Sequence, residues 1–222
     1  DLPSMSTFTS TASLRQQCLI LSSDSENIIN AHGPFLDSYN LAKWERKKSK
    51  PTETPVRVNV FEDVRIDTVL PLGTSGHAIA VSSVARDETS KQYKVYATLV
   101  HSADLAKGGY VSAALRFVIC SQPLTETPCQ PIVNIVPESS KLLVLTRSSL
   151  RVFELECDSE EKCTGWSEVE WLDIRDELGP KFRDSKSIRP LFISPIYPFE
   201  YALLVDARLT VLTYKQPRKN NK

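Results

Sequence analysis

The stretch KLLVLTRSSLRVFELE, Lys141 to Glu156, decides the fold of this chain. An aliphatic run is followed by a short polar turn, and a second run then alternates apolar and polar residues. Such runs on either side of a polar turn are typical of a β-hairpin. Two further stretches repeat the pattern: YALLVDARLTVLTY, Tyr201 to Tyr214, and the longer HAIAVSSVARDETSKQYKVYATLV, His77 to Val100. The sequence therefore predicts one hairpin in three copies.

The three copies recur at a nearly constant interval. Their first strands centre on Ile79, Leu143 and Leu203, which are 64 and then 60 residues apart. A lead strand precedes each copy, and the three predicted lead strands cover 64–70, 132–136 and 191–196. A proline stands at or near the end of each lead strand, where sheets tolerate it. Tandem units of this kind indicate a repeat architecture, in which neighbouring units bury each other's apolar faces.

The copies continue differently after the hairpin. The first leads into YVSAALRFVICS, Tyr110 to Ser121, which predicts a fourth strand. The second leads into an acidic loop and then a predicted helix. Ser167 and Glu170 fit a capping box, which satisfies the free amide donors at a helix start, and Gly179-Pro180 ends the helix. Its apolar residues at i, i+3 and i+7 are Trp171, Ile174 and Leu178.

The region before the repeats differs from them in amino-acid composition. Residues 1–16 are rich in serine and threonine and are interpreted as a flexible N-terminal arm. Residues 17–55 are interpreted as a linker with a possible partial blade and a helix over 34–50, which Pro51 stops because proline lacks the amide donor. The repeat domain follows at 56–214, with a helical insertion at about 157–188, and 215–222 form a basic tail.

Repeated units of four antiparallel strands resemble the degenerate WD40-like blades of β-propellers. The resemblance covers about residues 56–214 and lies in the repeat itself, since no Trp-Asp dipeptide ends a strand. It implies a mostly β fold: antiparallel blades of a partial or composite β-propeller, with one or two short helical insertions. A β-sandwich or another all-β form, and an α+β fold, are the alternatives. Propellers close with four to eight blades, whereas this chain supplies three, or four if Cys18–Ile29 belongs to another blade. We therefore expect an open apolar face.

Composition and charge indicate the cellular location of the protein and the kinds of partner that it can attract. The 222 residues carry 27 basic and 27 acidic side chains, so no overall field attracts nucleic acid or an anionic membrane. No apolar run approaches the twenty residues of a membrane helix, and we expect no membrane span. The chain does not begin with methionine, so it is expected to be a piece of something longer. Five cysteines, an odd number, favour an intracellular location, with the nucleus slightly favoured over the cytoplasm.

The sequence contains no recognisable catalytic or cofactor motif. Its seven glycines do not form GxGxxG, GxxxxGK[ST] or GxSxG, and phosphate-binding loops need such glycines. The three histidines, His32, His77 and His101, have no partner at metal-ligand spacing. Cys157 and Cys163 bracket an acidic loop, either as free thiols or as a disulfide in an oxidising compartment. We therefore expect no enzyme, no cofactor and no metal.

A non-catalytic protein–protein interaction scaffold is the leading interpretation, as a propeller-like portion of a subunit of a large complex. Other protein subunits are expected to cover the open blade face. The predicted contact residues are Trp166, Trp171, Ile174 and Leu178 in the insertion, with Lys47 and Lys48 in the basic segment. The alternative is a nucleic-acid-associated factor of transcription or chromatin assembly, which uses segments 43–50 and 215–222. An enzyme with its site in a propeller channel is a third class, which the aliphatic strands disfavour.

Overall fold

The computed structural model describes residues 19–22, 26–41, 54–72, 77–112, 115–136, 139–157, 163–180, 185–197 and 199–214. Within them the strands are β1 (Leu19–Leu21), β2 (Asn27–His32), β3 (Phe35–Asn40), β4 (Val56–Asn59), β5 (Ile66–Leu72), β6 (His77–Ser82), β7 (Ala85–Asp87), β8 (Gln92–Val100), β9 (Gly109–Tyr110), β10 (Arg116–Pro123), β11 (Ile132–Ile135), β12 (Lys141–Leu145), β13 (Ser149–Cys157), β14 (Cys163–Asp173), β15 (Ile188–Ile193), β16 (Phe199–Val205) and β17 (Arg208–Tyr214). The helices described are α1 (Ser102–Lys107) and α2 (Ile174–Leu178).

The strands form four sheets that follow one another along the chain. Sheet A has the order β1-β2-β3-β4-β9, and sheet B has the order β5-β6-β8-β10 with the short β7 on β8. Sheet C consists of β11 to β14 and sheet D of β15 to β17, each in chain order. All pairings are antiparallel except that of β4 with β9. Consecutive strands are neighbours, as in the predicted blades, except at β9, which returns to sheet A, and at β7, which pairs only with β8.

Strand alternation places apolar residues on both faces of the inner sheets. Leu142 and Val144 of β12 pack in the core shared with sheet B, whereas Leu143 and Leu145 pack in the core shared with sheet D. In sheet B, β6 does the same: Ile79 and Val81 face sheet C, and Ala78 and Ala80 lie in the core shared with sheet A. Because successive side chains point to opposite faces, a continuous apolar strand is the signature of a sheet buried on both sides.

The lead strands lie side by side. Strand β5 contacts both β1 and β11, and β11 in turn contacts β15. The four sheets therefore share one inner edge and extend outward from it as propeller blades. This confirms the predicted mostly β fold of partial-propeller blades with short helical insertions. The array also includes sheet A, in which strands β1 to β3 lie before residue 56.

The helix predicted over 34–50 is wrong for the part that the structure describes. Phe35–Asn40 is strand β3, which pairs with β2 through a two-residue turn at Gly33 and Pro34. Gly33 has a φ of +61°, the conformation that a tight hairpin turn requires and that glycine adopts readily. The turn and the pairing across it override the partial helical periodicity. Residues 42–50 lie outside the described residues.

The capping box at Ser167 and Glu170 is also wrong, because both residues lie within strand β14. Ser167 pairs with Glu154 of β13, and Glu170 pairs with Val152. The helix cap lies six residues later, where the side chain of Asp173 accepts a hydrogen bond from the Arg175 amide at 2.8 Å. Pairing with the nine-residue β13 supplies many backbone hydrogen bonds, and this long-range gain outweighs a local helix signal.

The predicted fourth strand of sheet B is shorter than the sequence pattern indicates. Tyr110 pairs with Asn59 in sheet A as part of β9, whereas β10 begins at Arg116 and pairs with β8 in sheet B. The two ends of the stretch Tyr110 to Ser121 thus belong to different sheets. This stretch links the outer strands of sheets A and B, and side chain–backbone contact reinforces the link, since Arg116 donates to the Val60 carbonyl at 3.0 Å.

Candidate interaction surfaces

The structure separates the predicted contact residues into different environments. Ile174 and Leu178 are buried in the core between sheets C and D, so they anchor α2 rather than face a partner. Trp166 is partly buried and stacks on Phe117 of sheet B with ring centroids 4.8 Å apart. Trp171 is 60% exposed on β14 and is available at the surface. Lys47 and Lys48 lie outside the described residues.

The outer face of sheet D is apolar and exposed. Leu209 and Val211 of β17 are 66% and 60% exposed, and they lie opposite Leu204 and Ala202 of β16. Phe192 of β15 also lies opposite Ala202 and is 53% exposed. The opposite face of sheet D is buried against sheet C through Tyr201, Leu203 and Val205. Ala202 and Leu204 are half-buried. We call this set of exposed and half-buried residues, Phe192, Ala202, Leu204, Leu209 and Val211, the outer face of sheet D.

The outer face of sheet A has a different chemistry. Asp37 accepts two hydrogen bonds from the guanidinium of Arg57, at 2.7 and 2.9 Å, and that guanidinium lies 5.2 Å from the ring centroid of Phe35. The hydrogen bonds to Asp37 raise the pKa of Arg57. Leu19 and Leu21 are exposed at one side of this ion pair. The two ends of the array therefore offer one mixed polar face and one apolar face.

A groove of about 1050 Å³ lies where the connections between sheets B, C and D come together. Its walls are the end of β10 and the following loop, the turn between β12 and β13, and the residues before and at the start of β15. Trp171 and Arg151 lie between these walls. The lining includes five basic side chains, Arg147, Arg151, Arg175, Lys186 and Arg189, and two acidic ones, Asp67 and Glu126.

Local hydrogen bonds fix two walls of the groove. The Thr146 hydroxyl accepts from the amides of Ser148 and Ser149 at 3.2 and 2.9 Å, which is a turn typical of serine and threonine. In the loop after β10, Gln122 donates to the Cys129 carbonyl at 2.6 Å and accepts from the Cys129 amide at 2.9 Å. The groove is thus framed by loops with defined internal bonding.

Two other ionisable groups with a raised pKa, Cys120 and Tyr214, lie within the fold. Cys120 and Cys129 are free thiols, and burial raises the pKa of Cys120. Tyr214 donates to Glu170 at 2.8 Å, and burial with this bond raises its pKa to about 12.

The backbones of Cys157 and Cys163 are paired, but their side chains lie outside the described part. In the described ranges no group of three or more histidine, cysteine or acidic residues could hold a metal, and no described helix could span a membrane.

Consecutive antiparallel sheets that share an inner edge define the class of this fold, an array of propeller-type blades. No family model and no curated protein match the chain. Hsv2p of Kluyveromyces lactis, a solved structure, is similar over 70% of this chain and 47% of its own, with 11% identity and a TM-score of 0.42. The WD40 domain of SCAP from fission yeast is similar over 96% and 45%, with 12% identity and a TM-score of 0.38. The chain spans less than half the length of either structure.

Proposed function

We propose that this chain is a non-catalytic interaction module whose sheet D is covered by a further β-sheet from another polypeptide. The observation that carries the proposal is the apolar outer face of sheet D. An exposed apolar patch of neighbouring side chains marks a contact surface more often than a solvated one. The module belongs to an intracellular complex in this proposal, with the nucleus favoured over the cytoplasm.

The kind of partner follows from the way the chain already packs its own sheets. Sheets B and C each bury one aliphatic face against the preceding sheet and the other against the following sheet. Sheet D presents the same aliphatic chemistry on its outer face, with Leu209 and Val211 in the positions that face a neighbour. Aligned sheets about 10 Å apart interdigitate such side chains efficiently. A sheet with an aliphatic face is therefore the expected occupant.

The direct test is site-specific photocrosslinking in cells. We expect p-benzoylphenylalanine in place of Val211 to form adducts with strand residues of a different polypeptide, identified by mass spectrometry. The matched control carries the crosslinker at Ile196, which is 69% exposed but lies in the turn between β15 and β16 and is not part of the outer face of sheet D. Adducts at 211 and not at 196 support the proposal.

Two results would contradict it. Adducts that join 211 only to residues of the same polypeptide, or to a second copy of it, show that no different subunit covers this face. Failure to form any adduct at 211 shows that the face is solvated. The basic segments 43–50 and 215–222 lie outside the described residues, and nucleic-acid binding through them stays a prediction.

A further inference from the structure

The basic groove and the exposed Trp171 include none of the five residues of the outer face of sheet D, although Arg189 of the groove lining lies opposite Leu204. The two carboxylates in the lining belong to sheet B and the loop that follows it, as Asp67 and Glu126. The cations come from sheet C, α2, the start of β15 and the residues before it. The five cations of the lining outnumber its two carboxylates, so the groove is basic overall.

One of these cations is already neutralised. Arg151 forms a bidentate ion pair with Glu168 and also donates to the Ile119 carbonyl at 3.2 Å. Its guanidinium lies 5.0 Å from the ring centroid of Phe153. Arg151 is thus held in place in the groove lining, and Glu168 neutralises its charge.

Three further cations have no ion pair among the described residues: Arg147, Arg175 and Lys186. Arg147 is held at the tip of the turn that the Thr146 hydroxyl stabilises, so its position is constrained. Arg175 and Lys186 are exposed on α2 and before β15. Charges that the protein does not match internally favour a ligand of opposite sign.

Trp171 adds an apolar contact at the same place. Its side chain lines the groove and is 60% exposed, although tryptophan is a residue whose burial contributes strongly to binding. Tryptophan and arginine together are the residues most enriched where protein surfaces form contacts. The combination of an exposed tryptophan with unpaired cations points to a ligand that carries both carboxylates and an apolar side chain.

We propose that this groove binds an extended, acidic segment of a partner protein. Carboxylates of the segment contact Arg147, Arg175 and Lys186, and an apolar side chain of the segment packs on Trp171. A polynucleotide fits less well, because its uniform negative charge would also meet the exposed Glu126 in the same lining. A peptide can keep its acidic residues away from Glu126. The volume of about 1050 Å³ reaches the upper range of ligand pockets, enough for a short segment.

The test is fluorescence anisotropy with the 222-residue chain and a labelled ten-residue peptide. The peptide carries glutamate and aspartate in one half and a phenylalanine in the middle. We expect it to bind at low salt and to bind about tenfold more weakly when glutamine and asparagine replace its acidic residues. A single-stranded ten-nucleotide RNA with the same label is the competitor.

Variants locate the site. The double variant Arg147→Glu and Arg175→Glu is expected to weaken binding of the acidic peptide about tenfold or more. The matched control, Arg65→Glu with Lys107→Glu, changes net charge equally at exposed positions outside the groove and is expected to change affinity less than about twofold beyond the screening effect of net charge. Trp171→Ala is expected to weaken the peptide about threefold to tenfold with an unchanged circular dichroism spectrum.

Several outcomes overturn the proposal. They are absence of peptide binding at low salt, equal affinity for the neutral peptide, equal losses in the two double variants, and RNA binding as tight as that of the acidic peptide. None of these results bears on crosslinking at 211, so the groove and the outer face of sheet D are tested separately.

Discussion

At the scale of one residue, the environment that the fold gives His77 changes the pKa of its imidazole. Its ring meets that of His101 edge-on, with centroids 5.1 Å apart, and its Nδ1 accepts a hydrogen bond from the Ser102 amide at 3.0 Å. Burial lowers the pKa of His77 and the neighbouring His101 lowers it further, whereas Asp104 acts in the opposite direction. The neutral ring, with its proton on Nε2, is the form that fits this bond.

This environment makes the free energy of unfolding depend on pH. The folded-state pKa of His77 lies below its unfolded value near 6.5, so the unfolded chain takes up the proton first as pH falls. We therefore expect full stability above about pH 6.5 and a decline as the pH decreases below it. His77→Asn, which keeps an acceptor for Ser102, should reduce the difference between urea unfolding at pH 7.5 and pH 5.5.

The control is His32→Asn, which changes an exposed histidine at the end of β2. This variant should keep the pH dependence of the parent chain. An equal reduction in both variants, or none in His77→Asn, would show that His77 does not contribute to acid destabilisation.

At the scale of an element, two glutamine side chains hold the loop after β10. Gln122 hydrogen bonds to both backbone groups of Cys129, and Gln130 donates to the Ser82 carbonyl of sheet B at 2.9 Å. The loop is otherwise exposed from Thr125 to Pro128. Because the loop contains few apolar contacts, these bonds decide whether it keeps one conformation as a wall of the groove.

Gln122→Leu removes both bonds at similar volume. We expect a loss of about 1–3 kcal/mol, the usual cost of leaving a partly buried backbone group without its partner. Hydrogen exchange measured by mass spectrometry should rise in peptides that cover 122–131. Gln122→Glu keeps an acceptor for the Cys129 amide and should show a smaller rise. If exchange in this loop is unchanged in Gln122→Leu, the side chain does not hold the loop.

At the scale of the whole molecule, stability is distributed over three interfaces between neighbouring sheets. Sheet D packs on sheet C, and sheet A on sheet B, whereas the described parts of A and D form no shared core. A linear array with nearest-neighbour contacts loses its ends more easily than its middle. Because sheet D is at one end of this array, no described sheet covers its outer face, and that face is open to a partner.

Leu143→Ala should therefore loosen sheet D selectively. Leu143 is fully buried between sheets C and D, and truncation of such a leucine costs about 2–5 kcal/mol. Hydrogen exchange should increase in β16 and β17 and stay near the parent level in β2 and β3. Leu36→Ala, at the fully buried interface of sheets A and B, should produce the mirror result. Equal protection loss in all four sheets would instead indicate an all-or-none unfolding unit.

The sequence by itself determined the hairpins and the sheets that are buried on both sides. The run from Leu142 to Leu145 was predicted as a strand, and as β12 it pairs with β13 across the predicted polar turn. The alternation of apolar residues and the residue types in a turn are local properties of the chain, so they can be recognised from the sequence alone. The prediction of blades was confirmed for this reason.

Only the tertiary structure decided the ends of elements and the surfaces. Ser167 and Glu170 carry a local helix signal, yet β14 is a strand because β13 offers a long ladder of hydrogen bonds. The burial of Ile174 and the exposure of Trp171 follow from where sheet D packs. The groove combines residues from three sheets that are distant in sequence. Long-range pairing and packing select these features, and a local pattern contains no information about them.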